Sequence, residues 1–135
     1  MTLPGFRLLD DGTVVGLRPL LPAGSEPVWL DRVADDGRTH RERIAAAEAL
    51  VAKIAGGWRP ADEELRDAPL IDHWIPLVTE DGAVLLGDIA HHPILEPGRR
   101  KATSMLLALD GSLLWARTIS RFYRLGRPLG RRDDS

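Results

Sequence analysis

The chain has 135 residues, 18 Lys/Arg against 20 Asp/Glu for a formal net charge of −2, 44% hydrophobic residues and no cysteine. That length fits one domain with a sizeable core, and the hydrophobic fraction argues against global disorder. The missing cysteines exclude disulfides, thiolate metal sites, cysteine-ligated iron–sulfur clusters and cysteine nucleophiles, and they suit a cytoplasmic setting.

In chain order, the first 38 residues read as a loop-rich segment. Leu8-Leu9-Asp10-Asp11-Gly12-Thr13-Val14-Val15 suggests two short strands around an Asp-Gly turn. Pro19, Pro22, Gly24 and Pro27 then interrupt regular structure, and Val28-Trp29-Leu30 is a short apolar segment. The N-terminus lacks the basic start and apolar run of a signal peptide. No apolar run nears the ~20 residues that cross a bilayer, so no membrane partner is expected.

Thr39-His40-Arg41-Glu42 fits a capping box, and Ile44, Ala47, Val51 and Ile54 follow on one stripe. This predicts a helix over 40–55, stopped by Gly56-Gly57. Pro60 with Asp62, Glu63 and Glu64 predicts a second helix over 60–67, ended at Ala68-Pro69.

The remainder reads as strands. Segments 74–79 and 83–91 flank Glu80-Asp81-Gly82, and 103–109 and 113–123 flank Asp110-Gly111. Pro76 demotes the first of these to an edge or shorter strand. A connection over 93–100 carries Pro93, Pro97 and Gly98. The expected fold is α+β: two helices packed on a four-stranded antiparallel meander. The expected organisation is the loop-rich segment 1–38, one α+β domain over 39–126 and a polar tail over 127–135. Residues 115–125 fit two periods. As a strand, Trp115, Arg117, Ile119, Arg121 and Tyr123 share a face; as a helix, Arg117, Arg121 and Arg124 stack.

His92-Pro93, Thr103-Ser104, Trp115-Ala116-Arg117-Thr118 and Ser120-Arg121-Phe122-Tyr123-Arg124-Leu125-Gly126 form a recognisable series, with Trp74 upstream. The series resembles the C-terminal signature of a family of short, uncharacterised bacterial proteins. The resemblance spans about 70–128. It implies a recurring structural unit and carries no activity.

Few chemistries find support. His91-His92 with Asp88 invites a metal-assisted hydrolase, yet neighbouring strand residues point to opposite faces. Asp72-His73 has the same difficulty. A fold that set His73 beside His91 or His92 across the first hairpin would make a partial site, short of the three or four ligands metals take. No serine sits in Gly-x-Ser-x-Gly or Ser-x-x-Lys, and phosphate-cradling glycine loops are absent. No cofactor is expected.

The basic C-terminal part remains. Residues 95–135 carry nine Lys/Arg against four acids, a net +5, while 1–94 carry a net −7. Arg117, Arg121, Arg124 and Arg127 are interleaved with Trp115, Phe122 and Tyr123, which are residue types for phosphate contact and base stacking. Arginine also suits bidentate recognition of carboxylates. The sequence therefore points to a non-enzymatic macromolecule-binding module whose face is Arg117, Arg121, Arg124 and Arg127 with Trp115 and Tyr123. A protein partner ranks slightly ahead of nucleic acid. A homo-oligomer whose acidic and basic surfaces meet is a third reading.

Overall fold

The computed structural model describes residues 5–16, 28–33, 37–79, 82–92 and 97–130. The proline-rich stretch 19–27, the turn residues Glu80 and Asp81, and 93–96 of the expected connection lie outside the described residues.

Helix α1 (His40–Ala55) begins at the capping box: Thr39 Oγ1 accepts from Glu42 N at 3.1 Å, and Glu42 Oε1 accepts from Thr39 N at 2.8 Å. Both exchanges satisfy backbone donors that the first turn otherwise leaves orphaned. The helix caps at Gly56, and Gly57 takes a left-handed φ of +110° that favours glycine. Helix α2 (Asp62–Arg66) is five residues long with none buried.

Seven strands follow the order β1 (Phe6–Leu8), β2 (Val14–Gly16), β3 (Leu70–Thr79), β4 (Gly82–Ala90), β5 (Gly98–Leu109), β6 (Trp115–Thr118) and β7 (Phe122–Leu125). The expected α+β fold, with two helices on a four-stranded antiparallel meander, is overturned. The chain is mostly β, and β3 to β7 close into a five-stranded barrel with one substantial helix outside it.

The difference starts at Thr118. Its Oγ1 accepts from Ser120 N at 3.3 Å and Arg121 N at 3.4 Å, while its backbone N donates to Arg121 O at 2.9 Å. This hydroxyl-stabilised turn splits the single strand expected over 113–123 into β6 and β7. Sequence neighbours from β3 to β7 pair antiparallel. An odd number of alternating strands brings the first and last together in the same direction. β3 and β7 accordingly pair in parallel through Leu70↔Arg124 and Ile71↔Leu125, and closure leaves the barrel no free edge.

Along β4, Ala83, Leu85, Gly87 and Ile89 point inward in strict alternation. The interior also holds Ile71, Trp74, Leu106, Ala116, Tyr123 and Leu125. Trp74 Nε1 donates to Gly126 O at 3.0 Å, which satisfies the one polar atom of a buried indole. Outside the barrel, Leu50, Val51 and Ile54 of α1 pack on Val15, Ala108, Trp115 and Phe122. The β1–β2 hairpin extends the sheet through Val14↔Leu109 and Val15↔Ala108. Residues past β7 run beside β3: Trp74 pairs with Pro128, and Leu129 N donates to Trp74 O at 2.8 Å.

Candidate functional site

The β6–β7 turn meets the first turn of α1, and this meeting gathers the basic groups. Arg117 lies half-buried on the outer face of β6 with its guanidinium 5.0 Å from the ring of Phe122, its cross-strand partner. Its Nη2 donates to Ile119 O at 3.4 Å. Arg43 reaches from α1 to donate to Ser120 Oγ at 3.0 Å, and Ser104 Oγ from β5 donates to the same oxygen at 3.1 Å. Arg38 lies just before the helix and donates to Glu42 O at 3.4 Å.

Like charges crowd Arg117. Burial comes first among the causes that push the Arg117 guanidinium down to about 10, followed by the like charges of Arg121, Arg43 and Arg38. The Glu64 carboxylate pulls the other way. The Nε atoms of Arg117 and Arg121 are both buried without a hydrogen-bond partner among the described residues. Arg121 also bears on His92, whose pKa is lowered by burial first and then by that charge.

The six residues of the sequence-based face separate into distinct settings. Arg117 and Arg121 come together, joined by Arg43 and Arg38. Trp115 is only 5% exposed, wedged edge-on against Phe122 with ring centroids 5.7 Å apart. Tyr123 points into the barrel at 2% exposure, and burial raises its pKa. Arg124 Nε donates to Ala68 O at 2.8 Å and ties the segment before β3 to β7. Arg127 pairs with Asp72, through its backbone N at 2.7 Å and its side chain at 3.4 Å. Arg43 carried no sequence signal as a site residue, because its partner Ser120 lies 77 positions away.

The residues of the metal reading do not converge. His92 lies 6.1 Å from Tyr123 between ring centroids, and His91 is exposed with a left-handed φ of +63°. Asp88 instead accepts from His73 Nδ1 at 2.9 Å. That contact exists because a bulge in β3 turns both Asp72 and His73 outward, which strict alternation forbids. Among the described residues, no group of three or more His, Asp or Glu side chains is placed to hold a metal ion. No helix among them is long and apolar enough to cross a membrane.

The fold and this cluster define a small β-barrel protein, braced by one helix and basic at one turn. The chain belongs to a family of unknown function, DUF6634, which matches residues 29–133 and so takes in α1 and the whole barrel. No curated protein and no solved structure is significantly similar to it.

Proposed function

We propose that this chain is a non-enzymatic binding module that holds an acidic segment of a partner protein at Arg43, Arg117 and Arg121. The carrying observation is the company Arg117 keeps: Arg121, Arg43 and Arg38 all bear on it with like charge. A carboxylate arriving there relieves that repulsion and finds planar donors suited to two-point hydrogen bonding. The Ser120 hydroxyl accepts from Arg43 and Ser104 and keeps its own O–H as a donor at the base of the cluster. Protein ranks ahead of nucleic acid because Trp115 and Tyr123 are buried and offer no stacking platform. The net charge of −2 points the same way. The cysteine-free composition accords with a cytoplasmic protein.

The test is a titration at low salt with a glutamate-rich peptide and, in parallel, a single-stranded oligonucleotide, read by tryptophan fluorescence. Peptide binding that weakens about tenfold or more in Arg117→Ala/Arg121→Ala supports the reading, that being the scale of one charge-assisted hydrogen bond. Tighter binding of the oligonucleotide, with a steep salt slope, hands the site to nucleic acid. Silence with both probes overturns the site.

A further inference from the structure

Two bulges meet at Asp88. In β3, His73 and Trp74 stand where β4 offers only Gly87, between the pairs Asp72↔Asp88 and Ile75↔Leu86. In β5, Arg99 and Arg100 stand opposite Asp88, between Gly87↔Lys101 and Ile89↔Gly98. Each bulge contains a non-glycine residue in the left-handed region, His73 and Arg100, both at φ +51°. Both are bound to the same carboxylate. His73 Nδ1 lies 2.9 Å from Asp88 Oδ2, and Arg100 N donates to Asp88 Oδ1 at 3.2 Å. Strained residues of this kind persist where surrounding structure imposes them, and they concentrate at ligand sites.

The backbone at the two bulges is held by carboxylates on amides, Asp88 on Arg100 N at 3.2 Å and Asp72 on His73 N at 3.1 Å. The His73 ring contributes nothing to the strand ladder, yet it is oriented by its own bond to Asp88. Above this pair opens a groove of about 350 Å³, in the size range of small-molecule sites. Leu86 and Leu129 supply its apolar lining, and Leu129 is 41% exposed. Arg99 and Arg100 form its rim. Both Asp88 oxygens are already engaged by His73 and Arg100. The lining therefore sets two guanidiniums against the one carboxylate of Asp88, beside an imidazole whose inner nitrogen is fixed.

The geometry points to a binding site for a small organic anion. Its phosphoryl or carboxyl head group meets Arg99, Arg100 and His73, and its apolar body rests on Leu86 and Leu129. This site is separate from the Arg43–Arg117–Arg121 cluster and does not depend on it.

The experiment is amide and imidazole NMR of the full chain during titration with phenyl phosphate and, separately, benzoate. The expected result is saturable shifts at His73, Gly87, Arg100 and Leu129 with at least one probe, and the probe that binds identifies the head group. Arg99→Ala/Arg100→Gly then weakens binding about tenfold or more, the scale of lost charge-assisted hydrogen bonds. Glycine is chosen at 100 because it accepts the left-handed backbone. Leu129→Ala weakens the aromatic probe and leaves inorganic phosphate unaffected. The proposal is overturned if neither probe gives saturable shifts there. It is overturned equally if Arg99→Ala/Arg100→Gly binds as the native chain does, with its folded spectrum intact.

Discussion

Asp72 and Asp88 face each other across β3 and β4, and each works as an acceptor for irregular backbone. Asp72 takes Arg127 N at 2.7 Å and His73 N at 3.1 Å. Its pKa is lowered, first by the Arg127 backbone bond. Asp88 is lowered first by His73 and then by the Arg100 amide. A carboxyl depressed in the folded state binds protons at lower pH than it does unfolded. Its contribution is therefore complete above the unfolded value near 4 and is lost as pH falls through the folded value. Thermal stability is expected to drop below about pH 4, and the drop should be shallower in Asp88→Asn. Melting temperatures recorded from pH 5 down to pH 2 check this. Parallel curves for the two chains would show that the Asp88 charge does nothing for the fold.

At the scale of single elements, α1 is held by its cap and by two buried residues, Ala47 and Ile54. Thr39→Ala removes the hydroxyl that accepts from Glu42 N and should cost about 1 kcal/mol. Ile54 is fully buried between the helix and the outer face of the sheet, so Ile54→Ala should cost about 2–5 kcal/mol. Urea midpoints measure both, and a loss under about 1 kcal/mol at Ile54 would mean the helix is not packed on the barrel. The sequence made this helix legible because its signals are local: a cap, a stripe and a glycine stop within 19 residues. The same holds for the Asp-Gly turn between β5 and β6. Barrel closure has no such signature. The β3–β7 pair joins positions more than 50 residues apart, and only Thr118 marks the break that creates the fifth strand. The site divides along the same line. The charges of Arg117 and Arg121 were readable, whereas the burial of Trp115 and Tyr123 depends on which way short strands face. The approach of Arg43 depends on tertiary packing. The His73–Asp88 contact was hidden because one bulge reverses the alternation on which any facing argument rests.

Over the whole molecule, the family match begins at residue 29, while the sheet begins at residue 6. The β1–β2 hairpin therefore lies outside the matched region yet is built into this chain's core. Val14 packs with the barrel interior and Val15 with the helix cluster. Thr13, fully buried, accepts from Gly111 N at 3.1 Å through its hydroxyl, locking the first turn against the β5–β6 turn. A side chain at Gly111 would sit 2.3 Å from Asp11 O, so the two turns approach as closely as a glycine permits. Asp11 also takes the guanidinium of Arg59 at 2.9 and 3.0 Å, and Arg59 Nη1 donates to Ile54 O at 2.8 Å, so the hairpin reaches the end of α1. Burying two valines is worth roughly 3–6 kcal/mol against a total stability of about 5–15. Deleting residues 1–16 should therefore shift the urea midpoint sharply downward and weaken the near-ultraviolet signal of Trp115, which loses its packing against Val15. Such a loss would mean that the barrel and helix, although they make up the recurring unit, need the hairpin's cover in this chain. An unchanged midpoint would instead make the matched region self-sufficient and the hairpin an attachment to a finished fold.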